Sequence, residues 1–176
     1  MRSLCPDFTV VPSEVDETLA PGPAAAAVKR LALDKAQAVA ARVAAGVVLG
    51  ADTVVVIDGE ALGKPATADD ARQMLRRLRG REHEVVTGVA VVEAPGGRCE
   101  TTAVVSRVRM ADYGEADIEA YVASGEPFDK AGAYAIQGRA ARFIVELRGS
   151  YSGVMGLPLY ETAQLLDRAG SPRERR

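Results

Sequence analysis

Residues 50–65 read GADTVVVIDGEALGKP, and one acid, Asp52, interrupts a run whose neighbours are mostly apolar. A carboxylate in a buried strand needs a cation, a set of N–H donors or a metal beside it, because desolvating it alone is costly. Two readings follow for Asp52. It pairs structurally with an arginine, or it is a metal ligand or general base at a strand's end, facing a cleft. Lys64 follows, between Gly63 and Pro65. The chain uses four lysines against eighteen arginines. A lysine here therefore marks a place where a compact ammonium suits better than a planar fork, although Lys29 fits no pattern.

The same residue types recur in three other stretches. SEVDE, 13–17, sets Glu14, Asp16 and Glu17 just ahead of a helical segment. Lys35 lies on an apolar stripe made by Val28, Leu31, Ala32, Val39 and Val43, where a lysine either snorkels to the rim or meets an anion. DKAGAYAIQG, 129–138, places Asp129 and Lys130 before two glycines and Gln137 near its end; glycines there let backbone approach a ligand closely. Carboxylates suit Mg²⁺ or Mn²⁺ and ammonium groups suit phosphate oxygens. The set points to a polyphosphate ligand held through a divalent metal cation.

Other chemistries are excluded. His83 is the only histidine and Cys5 and Cys99 the only cysteines, too few for a Cys/His zinc cage. His83 sits in GREHEV with no nucleophile motif nearby, which disfavours a serine or cysteine triad. A net charge of −2 gives no basic field for nucleic acid. Apolar stretches are shorter than the roughly 18 residues of a membrane span. No GxGxxG or GxxxxGK[ST] occurs. No charged segment followed by an apolar one opens the sequence, so the cytoplasm is the expected compartment.

These residues need elements to carry them. At 176 residues and 48% hydrophobic the chain suits one domain, over 1–170, with SPRERR (171–176) expected as a disordered charged tail. The stretch 7–17 opens with a short β-rich run. A helix is expected over 24–45, after Pro21 and Pro23. A strand buried on both faces follows at 46–58, then an Asp58-Gly59 hairpin. A second helix is expected over 67–80, capped by Thr67 and stopped by Gly80. Strands at 83–94 and 100–110 are joined by PGGRC. A helix over 114–126, short strands at 133–138 and 142–149, and a closing helix over 157–170 complete the reading. Hairpins mixed with helices give an α/β domain with a mixed sheet.

The hairpin sets a condition on its own chemistry. A two-residue Asp58-Gly59 loop puts Thr53 opposite Lys64 and sends Asp52 to the other face. A three-residue loop puts Val54 opposite Lys64, with Asp52 its diagonal neighbour about 7–8 Å away on the same face. A bulge at Gly63 does the same. A site shared by Asp52 and Lys64 on this hairpin therefore expects a register shift.

The stretches PSEVDE, ALDKAQAVA, GADTVVVIDGEALGKP, GREHEVVTGVAVV, EAYVASGEPFDKAGAYAIQG and GSYSGVMGLPLY resemble, in order, the successive motifs of the Maf proteins, from about Phe8 to Leu166. The resemblance implies a single α/β domain of the Maf/inosine-triphosphatase-like type, with a curved sheet, two lobes about a cleft, and often a homodimer. It implies a nucleoside triphosphate pyrophosphatase that releases a nucleoside monophosphate and pyrophosphate with the help of Mg²⁺ or Mn²⁺. Glu17 and Asp52 are similar to the family's acidic metal-site residues, with Asp52 orienting or deprotonating the attacking water. Lys35, Lys64 and Gln137 match positions that hold phosphate or complete the site, and Lys130 joins them as a substrate-binding residue. DKAGAYAIQG resembles the branch acting on dTTP and UTP, with modified pyrimidine triphosphates within its range.

Two departures qualify the likeness. Family members begin with a strand and an S-x-S-P-R-R-type loop that grips the triphosphate, whereas this sequence opens MRSLCPDF, and Arg2 and Ser3 do not form that motif. Gly153 stands in GSYSGVMGLP where the family usually carries Asn. The first departure keeps a second reading in view, a non-catalytic nucleotide-binding or regulatory protein linked to septum formation.

Overall fold

Small residues let the first helix lie directly on the sheet. The computed structural model describes residues 1–169; the charged tail expected at 171–176 lies outside the described residues. Helix α1 (Ala24–Ala40) starts after Pro23, whose fixed φ suits a helix entry, and buries Ala27, Val28, Leu31, Ala32, Ala36, Val39 and Ala40. The helix stops at Ala40 rather than running to 45, and Val43 lies outside it.

Five strands follow: β1 (Gly46–Ile57), β2 (Glu60–Leu62), β3 (Glu82–Ala94), β4 (Cys99–Met110) and β5 (Ile144–Arg148). They form one sheet that is not closed, in the order β2-β1-β3-β4-β5. The α/β class with flanking helices is as expected, but the sheet is antiparallel rather than mixed. Each connection reverses the chain. Asp58-Gly59 and the turn after Ala94 are hairpins. Helix α2 (Ala68–Leu78) returns the chain to the end of β1, where Arg81, just before β3, pairs with Asp58 at 2.5 Å.

The chain divides into two compact units. The first comprises Met1–Asp52, Thr87–Val104 and the described residues from Gly156 onward. Here alternate residues of β1 and β3 serve opposite layers. Val48, Ala90 and Val92 pack with Ala32, Ala36 and Ala40 of α1. Leu49, Ala51, Val89 and Val91 pack with Leu165 and Leu166 of α5 (Leu159–Arg168). Both faces of β1 are thus covered, as its near-continuous apolar run requires. Two glycines set the closeness of α1. A Cβ on Gly50 would lie 2.3 Å from the Ala32 carbonyl oxygen, and one on Gly88 would lie 2.3 Å from that of Val28.

The second unit comprises Thr53–Val86 and Val105–Met155. Leu75 and Leu78 of α2, Ile118 and Tyr121 of α3 (Glu115–Ala123), and Val108, Met110 and Phe143 belong to its core. Thr67 caps α2 as expected. Its Oγ1 accepts from Asp70 N–H at 3.1 Å, and the Asp70 carboxylate accepts from Thr67 N–H at 2.9 Å. Gly80 and Gly125 take positive φ just past α2 and α3, where the sequence places the stops. A short helix, α4 (Tyr151–Val154), is capped by Ser150, whose Oγ accepts from the N–H of Gly153.

The β-rich run that opens 7–17 and the strand expected at 133–138 do not form ladders. Residues 7–11 pair with no strand, and Phe8, Val10 and Val11 stay exposed; β-branched residues do not make a strand without a neighbour to pair with. Residues 134–138 connect the 3₁₀ segments Ala131–Ala133 and Arg139–Phe143, with a turn at 136–138. Positive φ at Gly132 and Ala133 bends the chain, and Ala135 N–H donates to the Tyr121 hydroxyl rather than to a ladder. Ala133, Tyr134, Ala135 and Ile136 are all buried there without joining a ladder.

Candidate active site

Gly50 and Asp52 are two residues apart on β1, so both face α1. Because Gly50 has no side chain, the Ala32–Ala36 turn of α1 lies against the strand. Lys35 belongs to that turn, and its Nζ reaches Asp52 Oδ1 at 2.8 Å and Glu17 Oε1 at 2.7 Å. The cation beside Asp52 is a lysine, and Lys35 meets anions rather than snorkelling to solvent. Lys35 and Asp52 are each 15% exposed and Glu17 is 55% exposed, so the cluster runs from the interior to the surface.

Burial works against the Lys35 charge, but the hydrogen bonds from its ammonium to Asp52 and Glu17 outweigh that and lift its pKa above 10.5. Only one of the three acids in SEVDE joins the cluster. Asp16 turns onto its own backbone, accepting from Thr18 N–H at 2.9 Å and Thr18 Oγ1 at 2.7 Å. Those bonds lower its pKa. Glu14 lies 3.9 Å from Arg42, whose guanidinium also donates to the Pro12 carbonyl. Arg42 thereby ties the segment ahead of Glu17 to the end of α1.

The remaining expected residues, Lys64, Lys130 and Gln137, lie in the second unit. The hairpin is the plain two-residue form. Val55 pairs with Leu62, Val56 with Ala61 and Ile57 with Glu60, with positive φ at Asp58 and Gly59. The expected one-residue shift does not occur in the ladder. The ladder ends at Leu62, and the Gly63 carbonyl instead accepts from Gly132 N–H at 3.0 Å. Lys64 is thus oriented by a loop rather than by strand register. Lys130 pairs with Asp129 at 2.5 Å. The Asp129 carboxyl is held low first by that hydrogen bond and, more weakly, by the field of Lys64. Gln137 is exposed on a turn closed by Gly138 N–H donating to the Ala135 carbonyl at 3.0 Å.

Hard oxygen donors are what a Mg²⁺-like ion takes, and it needs only one or two protein carboxylates when phosphates and waters supply the rest. Glu17 and Asp52, gathered on one ammonium, fit that need. Among the described residues no group of three or more His, Cys, Asp or Glu side chains forms an all-protein cage. His83 is buried against Tyr134, sharing a 2.8 Å hydrogen bond, and takes no part in the acidic cluster. Cys5 donates to the Asp7 carbonyl and Cys99 is exposed.

Sequence reasoning missed Arg42, Tyr121 and Glu126. Arg42 is one arginine among eighteen and carries no distinguishing spacing. Tyr121 and Glu126, which accept from the backbone N–H groups of Ala135 and Arg139 on either side of Gln137, lie within EAYVASGEPFDKAGAYAIQG, but a tyrosine's partner cannot be read from its own neighbours.

The description "Maf-like protein" fits residues 1–169 of this chain. The chain is 54% identical over 167 residues to a dTTP/UTP pyrophosphatase of Anaeromyxobacter sp. (strain Fw109-5), covering 93% of this chain and 80% of that protein. It is 51% identical over 170 residues to one from Hahella chejuensis (strain KCTC 2396), covering 93% and 83%. It is 50% identical over 143 residues to one from Dictyoglomus thermophilum, covering 81% and 74%. With the motifs, the fold and these matches in agreement, the chain belongs to the Maf family.

Proposed function

We propose that this chain is a nucleoside triphosphate pyrophosphatase acting on dTTP and UTP, with modified pyrimidine triphosphates in its range. Water adds at the α-phosphorus and the bond to the β-phosphate breaks, yielding the nucleoside monophosphate and pyrophosphate. The observation that carries this reading is the Lys35 ammonium holding Glu17 and Asp52 within 2.8 Å. Support comes from relatives about half identical over most of their length that bear the name dTTP/UTP pyrophosphatase.

Asp52 is the proposed acceptor for the proton of the attacking water, and Lys35 keeps its carboxylate aimed. Glu17 and Asp52 would hold a Mg²⁺ or Mn²⁺ ion, which when bound neutralises phosphate charge. Lys64, Lys130 and Gln137 are proposed to bind the substrate, the lysines as point charges on phosphate oxygens and Gln137 through its amide. Lys35 is proposed to contribute to phosphate binding from the same place. The proposed compartment is the cytoplasm and the proposed assembly a homodimer, with a nucleotide as partner rather than nucleic acid or membrane. Among the described residues no helix is long and apolar enough to cross a membrane.

The test is pyrophosphate release from dTTP and UTP, against ATP and GTP, with Mg²⁺ or Mn²⁺ and then with EDTA. Release from the two pyrimidine substrates that EDTA abolishes is expected; no release from any triphosphate sinks the reading. Nucleotide binding without turnover would instead fit the regulatory alternative, which the enzyme names of the relatives do not favour.

A further inference from the structure

The turn that presents Gln137 is held at both ends by one tyrosine–glutamate pair. Tyr121 is buried on α3, and its hydroxyl donates to Glu126 Oε1 at 2.8 Å. The same hydroxyl accepts from the N–H of Ala135, two residues before Gln137, at 3.2 Å. The other oxygen of Glu126 accepts from the N–H of Arg139, two residues after Gln137, at 3.0 Å. Between these points the carboxylate lies on the Cα of Gly138. A Cβ there would sit 2.2 Å from Glu126 Oε1. Partial burial works to raise the Glu126 carboxyl, but the bonds from Arg139, Tyr121 and Ala140 outweigh it and hold the group below its usual range. The acceptor is therefore an ionised carboxylate at neutral pH, and its bonds are the stronger, charge-assisted kind.

The Ala135 N–H is buried and needs a protein partner, but the Arg139 N–H, on an exposed residue, could be satisfied by water and is instead directed onto a carboxylate. The two bonds flank an exposed glutamine and run to one hydroxyl–carboxylate pair. We infer that Tyr121 and Glu126 are positioning residues for Gln137, fixing the turn so that its amide is presented in one orientation. The inference rests on the reading of Gln137 as a substrate-binding group. Rigid support of this kind decides rate, because a misplacement of about 1 Å costs on the order of 10²-fold.

The experiment compares wild type, Glu126→Gln, Tyr121→Phe, Gln137→Ala and the two doubles that combine Gln137→Ala with each clamp substitution. Pyrophosphate release from UTP with Mg²⁺ gives kcat and KM, and thermal melting gives Tm. Each clamp substitution alone should lower kcat/KM roughly 10- to 100-fold. In the Gln137→Ala background the same substitutions should lower it no more than about twofold, while still lowering Tm as they do alone. A merely structural role would cost the same factor in both backgrounds, and that additivity overturns the inference, as would single variants within about twofold of wild type. Tyr121→Phe removes a single oxygen and carries the test if Glu126→Gln does not fold. A wild type that neither binds nor hydrolyses UTP defeats the functional reading, and this inference with it; an active wild type with additive effects defeats this inference alone.

Discussion

Lys35 Nζ lies 2.8 Å from Asp52 Oδ1, joining the middle of α1 to the middle of β1 across seventeen residues of sequence. Neither side chain is more than 15% exposed. Each therefore answers the desolvation of the other, and Glu17 adds a second carboxylate from the surface side. The cluster is both a structural pair and an acidic site, and the two roles separate by substitution.

Asp52→Asn keeps the shape of the side chain but removes the proposed base. Turnover of UTP should fall roughly 10²- to 10⁴-fold with a much smaller change in KM. Lys64→Ala, taking away the proposed phosphate contact, should raise KM and lower kcat together. Steady-state kinetics of both variants check this, and equal small effects would contradict the assigned roles.

Lys35→Met leaves Asp52 and Glu17 facing each other without their cation. Stability at pH 7 should fall by roughly 1–3 kcal/mol, less than for a fully buried pair because Glu17 is half exposed. The Lys35 pKa is raised in the folded state, so its contribution is complete below about 10.5 and is lost as pH rises through the higher folded value. Urea unfolding of wild type and variant should show a constant gap from neutral pH to about 9 that closes only at more alkaline pH. Adding Asp52→Asn to Lys35→Met should restore part of the loss.

Gly88→Ala and Gly50→Ala test how α1 is seated. Each added methyl would sit 2.3 Å from a helix carbonyl oxygen, against backbone that cannot swing aside. A loss of about 1–3 kcal/mol is expected for each. Gly50→Ala should also lower activity, since it pushes away the helical turn that carries Lys35. Melting curves alongside kcat measure both, and a Gly50→Ala protein of unchanged Tm would contradict the packing described.

His83 is buried with no hydrogen-bond partner on Nδ1, and burial pushes its pKa down to about 4 from 6.5. The unfolded chain then binds the extra proton first, so stability is full above about 6.5 and declines as pH falls toward 4, by about 3 kcal/mol in all. His83→Gln can still bond Tyr134 but does not titrate. Unfolding of the variant should lack this part of the acid dependence, and identical pH profiles for the two proteins would contradict it.

Much of this arrangement is readable in the residues. Near-continuous apolar runs mark β1 and β3, capping chemistry marks α2, and Asp58-Gly59 marks its hairpin. These are local signals, set by the periodicity of helix and strand and by the few residues that tolerate positive φ. The run at 7–11 and the stretch at 133–138 misled for the opposite reason. Strand propensity is a property of side chains, whereas a strand exists only where another strand offers its hydrogen bonds.

Asp52 and Lys35 stand out in the sequence alone, because an acid in an apolar run and a lysine on an apolar stripe each demand a partner. That they are each other's partner follows only from the tertiary structure. Two bare glycine positions let α1 settle on the sheet closely enough for a four-carbon side chain to span the gap. The choice of Glu17 over Glu14 and Asp16, and the grip of Tyr121 and Glu126 on the turn around Gln137, are decided in the same way. Residue type dictates which groups must be satisfied; only the packing of backbone against backbone dictates which groups come within 3 Å of one another.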